Sequence, residues 1–177
     1  MQQDQAHITI RKAKAEDVNL LSELAALTFR GTYAQFNTKE NMDAYIQDHF
    51  TVDIMLKEIL DTKFQYFLAY YDEEIAGYCL LDTNRTTPQL QIENTIEISR
   101  IYVAEKFKGK KIGKLLMDTC INYAVENMHT AIWLGVWQEN KNAIAFYQHC
   151  GFEIIGTTEF VLGDDVQHDF IMKKQII

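Results

Sequence analysis

The alternation of apolar and polar residues is clearest in an isoleucine-rich stretch near the middle of the chain, where it slips by one position. Ile96 and Ile98 share one parity, Arg100 interrupts the pattern, and Ile101 and Val103 resume on the other parity. Successive strand side chains point to opposite faces, so one inserted residue would produce this slip. The pattern indicates a β-bulge, a feature common beside active sites. A strand buried on both faces is the alternative.

The periodicity elsewhere predicts alternating strands and helices, hence an α/β fold. A polar loop at residues 83–94 precedes the bulged strand. The predicted strands are residues 8–10, 65–71, 75–82, 96–103, 131–137, 152–162 and 166–174, and the predicted helices are residues 17–29, 38–49, 52–60, 112–124 and 141–150.

Two sets of aromatic residues fit ordinary core packing, and lining a substrate cleft or a cofactor groove is the alternative for each. The sets are Phe29, Tyr33 and Phe36 around the end of the first helix, and Trp133 and Trp137 on either side of Gly135.

A lysine-rich turn follows the bulged strand, in a chain whose net charge is -8. Gly109 and Gly113 keep bulky side chains out of it, and a helix opens near Ile112 with no acidic residue in its first turn. Free N–H groups at a helix start, positive charge and small residues together make an anion site, and the expected anion is a phosphate. A solvated lysine surface is the alternative. The lysines are Lys106, Lys108, Lys110, Lys111 and Lys114.

The turn contains neither GxxxxGK[ST] nor GxGxxG, so a P-loop and a dinucleotide fold do not fit. It resembles motif A of the GCN5-related N-acetyltransferase (GNAT) family, V-x-x-x-x-[RQ]-x-x-G-x-[GA], which holds the pyrophosphate of acetyl-CoA. Val103, Lys108, Lys111 and Gly113 occupy the defined positions. Lysine replaces the usual Arg or Gln at 108 and the first glycine at 111, so Lys111 has to tolerate the dihedral angles of the turn.

A second block resembles motif B of the same family. Asn140 is a suitable N-cap for an amphipathic helix, and Gly151 stands where a left-handed helix stop belongs. The family's Asn, Ala-Ile, aromatic-Tyr and Gly-Phe recur here at matching spacing. Stretches such as NMDAYI, FLAYYDEEIAGY and IWLGVW extend the resemblance along the chain, to the PaiA-type spermidine/spermine acetyltransferases within the family.

The resemblance implies a mixed, mostly antiparallel sheet of about seven strands with about four helices. Two central strands would splay to admit acetyl-CoA, and no metal is expected. The implied cofactor-binding residues are Ile101, Tyr102, Val103, Lys108, Gly109, Lys110, Lys111, Ile112, Gly113, Lys114, Asn140 and Tyr147.

The resemblance also assigns catalytic roles. A primary ammonium has a pKa near ~10.4, so a base must take its proton. Glu97 matches the catalytic glutamate of histone-type members of the family, and an ordered water chain is the alternative base. A main-chain N–H freed by the bulge, that of Val103, would stabilise the oxyanion. Tyr147 matches the general acid that protonates the departing CoA thiolate.

Composition limits the number of domains, the cellular location and the partners that we expect. The 177 residues, 47% of them apolar, suit a single domain over residues 1–177, without an apolar run near the ~20 residues of a membrane span. The N-terminus lacks the apolar core of a secretion signal. Cys79, Cys120 and Cys150 fit neither a zinc site nor a disulfide framework and have no evident histidine partner, so we expect a cytoplasmic protein and no acyl-enzyme. The acidic balance argues against direct nucleic-acid binding.

The expected activity is acetyl-CoA-dependent acetylation of a small-molecule amine, with a polyamine as the acceptor. Glu40, Asp43 and Asp48 on the second helix would hold its distal ammonium groups, or else form the solvated face of that helix. A protein N-terminus or an antibiotic is the alternative acceptor. A regulator that binds acetyl-CoA without turnover is the alternative from another class. Edge strands leave a homodimer open.

Overall fold

Seven strands and five α-helices make up the described part of the chain. The structure is a computed structural model, and it describes residues 7–177. Residues 1–6, on which the expectation about a secretion signal partly falls, lie outside the described residues. The strands are β1 (Ile8–Lys12), β2 (Phe64–Tyr71), β3 (Glu74–Asp82), β4 (Thr95–Val103), β5 (Ala131–Trp137), β6 (Glu153–Leu162) and β7 (Asp165–Gln175). The helices are α1 (Val18–Tyr33), α2 (Lys39–His49), α3 (Val52–Leu60), α4 (Ile112–Glu126) and α5 (Lys141–His149).

The sheet confirms the expected fold class. Its spatial order is β1-β2-β3-β4-β5-β7-β6, and every neighbouring pair is antiparallel except β4 and β5. The described residues form five α-helices, at the five positions that the periodicity predicted, where the resemblance implied about four. The first helix continues past its predicted end at Phe29 to Tyr33.

Two predicted helix starts are confirmed by their side-chain caps. The Thr38 hydroxyl accepts a hydrogen bond from the Asn41 N–H at 3.2 Å, which caps α2. The Asn140 side-chain oxygen accepts one from the Ala143 N–H at 3.2 Å, which caps α5. Each cap satisfies an N–H group that the first helical turn leaves without a partner. The predicted stop at Gly151 is also confirmed, since this glycine has φ +86°.

The parallel pair β4–β5 is short. Cα partners link the two strands only from Thr95↔Ala131 to Glu97↔Trp133, although β5 continues to Trp137. Beyond Glu97, β5 pairs with β7 alone among the described residues. The two central strands therefore part after Glu97 and leave a gap in the middle of the sheet.

The slip in parity is a β-bulge in β4. Leu81 pairs with Ile98, but Leu80 pairs with Arg100, so Ser99 is an extra residue without a partner on β3. This confirms the bulge over the alternative of a regular strand buried on both faces. Glu97, Arg100 and Tyr102 lie on one face of the sheet, because their β3 partners follow one another in steps of two.

Helices cover both faces of the sheet around this gap. On one face, the buried Cys79 of β3 meets Cys120 of α4, with their sulfur atoms 3.3 Å apart. On the other face, Arg100 reaches Glu58 of α3 at 3.0 Å. We call this second face, which carries Glu97, Arg100 and Tyr102, the α1 face, since α1, α2 and α3 lie over it.

Two glycine substitutions should have opposite effects on stability. A Cβ at Gly77 would lie 2.6 Å from the Tyr102 carbonyl oxygen and 3.2 Å from Leu116 Cδ1, whereas a Cβ at Gly31, inside α1, would meet nothing within 4 Å. We expect Gly77→Ala to lower the free energy of unfolding by about 1–3 kcal/mol through overpacking. Gly31→Ala should raise it by about 0.5–1 kcal/mol, because alanine loses less entropy in a helix. Urea denaturation measures both, and equal effects would contradict this packing.

Candidate active site

The gap between β4 and β5 opens into a large cavity. Its volume is about 820 Å³. Its walls are the second half of β4, the second half of β5, the first turns of α5 and the end of α1. The cavity thus passes between the two parted strands at the level of the bulge.

Main-chain donors of β4 face this gap. Ala104 donates its N–H to the Ala76 carbonyl at 2.8 Å. This bond shows which residues of β4 direct their N–H groups toward β3. Residues of an antiparallel pair alternate between bonding and non-bonding positions, so the N–H groups of Ile101 and Val103 point away from β3. Both residues line the cavity. The sequence indicated the N–H of Val103 alone, and the geometry adds that of Ile101.

A second set of main-chain donors lies at the start of α4. The first helical hydrogen bond there runs from the Leu115 N–H to the Lys111 carbonyl at 3.1 Å. The N–H groups of Ile112, Gly113 and Lys114 therefore have no acceptor within the helix. Lys111 adopts the left-handed conformation, with φ 66° and ψ 4°, as the motif A turn requires. This helix start beside the cavity has the features of an anion site.

The lysine side chains of the turn contribute less charge than the sequence indicated. Lys108 pairs with Glu105 at 2.5 Å, Lys114 pairs with Asp118, and Lys106 pairs with Glu74. The Lys110 ammonium donates to the Tyr71 hydroxyl at 3.2 Å and stands over its ring. Four of the five turn lysines thus have a partner nearby, whereas the main-chain N–H groups of Ile112, Gly113 and Lys114 have none within the helix.

The predicted cofactor-binding residues divide into two groups. Eight of them line the cavity, and the other four lie at or beside the start of α4 without lining it. The lining residues are Ile101, Tyr102, Val103, Lys108, Gly109, Gly113, Asn140 and Tyr147. The remaining residues are Lys110, Lys111, Ile112 and Lys114, and of these Ile112 is a core residue.

Tyr147 reaches the cavity from α5. The side chain is almost fully buried, with the ring of Phe146 at 5.5 Å and that of Phe152 at 6.1 Å. Burial raises the pKa of the Tyr147 phenol above its ordinary value, because the phenolate would lose its hydration. The hydroxyl therefore keeps its proton at neutral pH, as a general acid must.

Glu97 lies where β4 and β5 part. It is 6% exposed, and its Oε1 is 3.6 Å from the mostly exposed guanidinium of Arg85. Its Oε2 has no hydrogen-bond partner among residues 7–177. Burial raises the pKa of Glu97 to about 7, and Arg85 opposes this only in part. Glu97 is not among the residues that line the cavity, so it sits at the closed end of the gap.

A buried network next to the bulge was not predicted from the sequence. Arg100 donates to Glu58 at 3.0 Å and to the Tyr66 hydroxyl at 2.5 Å, and its guanidinium stands 5.0 Å from the centre of the Phe50 ring. A charged residue inside an apolar strand was the available signal. Its partners could not be read from the chain, because Glu58 lies 42 positions away.

The aromatic sets are split between core and cavity. Tyr33, Phe36 and Trp137 line the cavity. Phe29 is buried in the main core, and Trp133 packs in a small separate cluster with Leu90 and Ile171. Each set therefore contributes one residue to a packed cluster and at least one to the cavity wall.

The acidic residues of α2 do not reach the cavity. Asp43 pairs with Arg30 at 2.7 Å and with Lys39 at 2.6 Å on the surface. Glu40 and Asp48 are exposed to solvent. None of the three lines the cavity, so their placement matches the solvated helix face rather than an acceptor site.

The thiols are poor nucleophiles in this setting. Cys79 and Cys120 are fully buried against each other. The contact with Cys79 and burial raise the pKa of Cys120, and burial raises that of Cys150. A raised thiol pKa lowers the thiolate fraction, which disfavours an acyl-enzyme.

Comparison with known proteins identifies the family. Residues 23–152 match the family model of the acetyltransferase (GNAT) family. An uncharacterised N-acetyltransferase of Lactobacillus delbrueckii subsp. lactis is 30% identical over 170 residues, which cover 96% of this chain and 98% of the relative. The chain belongs to the GNAT family.

Two further comparisons, one of sequence and one of structure, match nearly the whole chain. The spermidine N(1)-acetyltransferase of Thermoplasma acidophilum is 26% identical over 172 residues, or 95% of this chain and 97% of the relative. The crystal structure of PaiA N-acetyltransferase from Thermoplasma acidophilum in complex with coenzyme A superimposes with a TM-score of 0.78, at 26% identity, over 96% of this chain and 99% of that one.

The family and the site together define the class of enzyme. The protein is an acetyl-CoA-dependent N-acetyltransferase. The cavity has features that would suit this co-substrate, because unpaired amides on β4 and the open helix start of α4 could donate hydrogen bonds to its acceptor groups and phosphates. Within residues 7–177 no group of His, Cys, Asp or Glu is placed to hold a metal ion. No helix in that range is long and apolar enough to cross a membrane.

A carboxylate at position 113 should abolish cofactor binding. A Cβ there would make ordinary contacts, 3.8 Å from Val103 Cγ2 and 4.0 Å from Phe146 Cζ, so the site has room for a small side chain. Gly113→Glu places a negative charge beside the anion site, and we expect acetyl-CoA affinity to fall by about 100-fold or more. Gly113→Ala is the steric control and should lose less than about tenfold. Calorimetric titration with acetyl-CoA measures both, and a Gly113→Glu variant that still binds tightly would place the pyrophosphate elsewhere.

Proposed function

We propose that this acetyltransferase transfers the acetyl group directly to a primary amine of a small cationic molecule, and that the acceptor is a polyamine such as spermidine or spermine. Acetyl-CoA, when bound, supplies the acetyl group as a reactive thioester. The chain's own residues have to deprotonate the amine, stabilise negative charge on the thioester oxygen, and protonate the leaving sulfur.

The proposal depends above all on the burial, hydrogen bonding and pKa of Glu97. Its carboxylate is buried at the parting of the two strands, has one oxygen without a partner among residues 7–177, and has a pKa of about 7. A base with a pKa near the working pH is half ionised and still strong enough to accept a proton. We assign Glu97 as the general base, acting on the ammonium group directly or through one ordered water.

The other two roles fall to groups on opposite walls of the cavity. The N–H groups of Ile101 and Val103 point into the gap from β4 and would donate hydrogen bonds to the developing oxyanion. Tyr147 lies on α5 and keeps its proton at neutral pH, so it would protonate the CoA thiolate. The raised thiol pKa values of Cys120 and Cys150 support transfer without a covalent enzyme intermediate.

The choice of acceptor is supported by the relatives and by charge. The Thermoplasma acidophilum relative is named a spermidine N(1)-acetyltransferase, and a Bacillus subtilis relative, matched over 51% of this chain, is named a spermine/spermidine N(1)-acetyltransferase. The net charge of -8 favours the approach of a polycation.

Three further expectations remain part of the proposal. We propose that residues 1–177 act as a single acetyltransferase domain. We propose a cytoplasmic location, which the three free thiols favour. The outer strands β1 and β6 leave homodimerisation open as a prediction.

A panel of acceptors tests the function. Thiol release from acetyl-CoA is followed with spermidine, spermine, diamines, aminoglycosides and N-terminal peptides. We expect saturable release with the polyamines and little with the others. Release only with peptides or aminoglycosides would show that the acceptor is not a polyamine. No thiol release with any amine, while acetyl-CoA still raises the melting temperature, would indicate a regulator.

Tyr147→Phe should lower kcat with spermidine by about 10- to 10³-fold with little change in acetyl-CoA affinity. Tyr123→Phe is the matched control, because Tyr123 lies on α4 away from the cavity lining.

The pH dependence of kcat/KM should identify the base. When Glu97 takes the proton of the ammonium group, turnover requires ionised Glu97 and the protonated amine, whose pKa is near ~10.4. We expect the logarithm of kcat/KM to rise with a slope of about 1 below pH about 7 and to level off above it, since the pKa of Glu97 is about 7. Glu97→Gln should be about 10²- to 10⁴-fold slower near neutral pH and should rise with a slope of about 1 throughout, because it can use only the free amine. A break near pH 7 that survives in Glu97→Gln would assign the base to another group.

A further inference from the structure

A second, partly buried carboxylate lies on the α1 face, two strands away from Glu97 in the sheet. Asp169 of β7 is the register partner of Trp137 on β5, and Glu97 is the register partner of Trp133. Trp133 and Trp137 are four residues apart and point to the same face, so the two carboxylates share that face. The partner positions Trp133 and Trp137 are about 13 Å apart along β5, so the two carboxylates would contact different parts of a bound molecule.

The Asp169 carboxylate lies beside Gly135, at the edge of the cavity rather than among the residues that line it. Gly135 lies between the two tryptophans and lines the cavity. A Cβ at Gly135 would be 3.5 Å from Asp169 Oδ2, so the missing side chain leaves the approach to this oxygen clear. The other oxygen, Oδ1, is buried without a hydrogen-bond partner among residues 7–177.

Within residues 7–177 no lysine or arginine forms an ion pair with this carboxylate. Burial raises the pKa of Asp169 to about 6, and the charged group that opposes the shift is the neighbouring His168. A buried carboxylate is normally paired or fully hydrogen-bonded, because its desolvation is otherwise uncompensated. The site is therefore suited to a positive charge supplied from outside the protein.

The surroundings of Asp169 are aromatic. Trp137 lies beside it, and the Trp137 ring is 4.7 Å from that of Phe36 and 6.4 Å from that of Tyr33. Aromatic faces attract organic ammonium groups and accommodate the methylene groups between them. The tip of the β6–β7 hairpin contacts α2, because the side-chain amide of Asn41 donates a 2.9 Å hydrogen bond to the Asp164 carboxylate.

From this geometry we propose that Asp169 binds a second ammonium group of the acceptor, so that the enzyme prefers amines with two or more positive charges over monoamines of equal length. The inference rests on the proposed acetyl transfer to an amine. Glu97 would act at the reacting nitrogen, and Asp169 would set specificity without touching the thioester.

Binding measurements test this without turnover. Calorimetry in the presence of CoA compares the α,ω-diamines from diaminobutane to diaminodecane with n-alkylamines of the same lengths. We expect at least one diamine to bind about tenfold or more tightly than its monoamine. Asp169→Asn should weaken diamine binding by about 10- to 100-fold and leave monoamine binding unchanged.

Two variants serve as controls, and a third replaces Asp169→Asn if that variant does not fold. Asp169→Glu keeps the charge and should keep the preference for diamines. Glu159→Gln removes a carboxylate from the neighbouring strand β6, on the other face of the sheet, and should also keep it. If Asp169→Asn does not fold, Gly135→Ala, which narrows the approach to Oδ2, should reduce the preference instead.

The outcomes separate this inference from the proposed function. Equal binding of diamines and monoamines by the wild type, or a preference that survives in Asp169→Asn, would overturn the role of Asp169 while acetylation of amines still supported the function. A preference that depends on Asp169, without acetylation of any amine, would support the binding site and reject the proposed function.

Discussion

The active site depends on the parting of β4 and β5 in the middle of a continuous sheet. A parallel pair that continued beyond Glu97 would close the gap and satisfy every amide along it. The bulge at Ser99 prevents this, because it shifts the register of β4 and bends the strand away. Unpaired N–H groups in a protein interior are unfavourable, so the two that face the cavity favour a ligand rich in acceptor groups. The defect in the sheet would thus provide the hydrogen-bond donors that an extended co-substrate needs.

The bulge is held in place by a buried charge network. Arg100 follows the extra residue and is fixed on the α1 face by Glu58 and Tyr66. Removing one partner of a buried ion pair typically destabilises a protein by about 3–5 kcal/mol, since the other charge is left uncompensated. Arg100 has partners on both α3 and β2, so it links the helical layer to the sheet next to the reacting groups. The position of Glu97, only three residues earlier on the same strand, is therefore coupled to the packing of α3.

Local features could be predicted from the sequence, and long-range pairings could not. The bulge, the caps at Thr38 and Asn140 and the stop at Gly151 each depend on a few consecutive residues, and the structure confirms them. The first helix was predicted too short because its last turn is mostly polar. The network of Arg100 depends on residues distant in the chain, as do the contacts of Lys106 with Glu74 and of Lys110 with Tyr71. Asp169 was missed for the same reason, because nothing in its local pattern distinguishes it from a solvated carboxylate on an outer strand.

The departures from motif A are explained by which atoms form the anion site. Lysine at position 111 adopts a left-handed conformation, which for a residue with a side chain is less favourable than for glycine by about 1–2 kcal/mol. The backbone nevertheless makes the turn, and the amides of Ile112, Gly113 and Lys114 at the start of α4 have no acceptor within the helix. The side chains of Lys108, Lys110 and Lys114 are engaged with other residues, so substitution at position 108 removes little from the site. A site built from main-chain donors tolerates changes of side chain as long as the backbone conformation persists. Loss of the motif glycine is therefore not evidence for loss of acetyl-CoA binding in this family member.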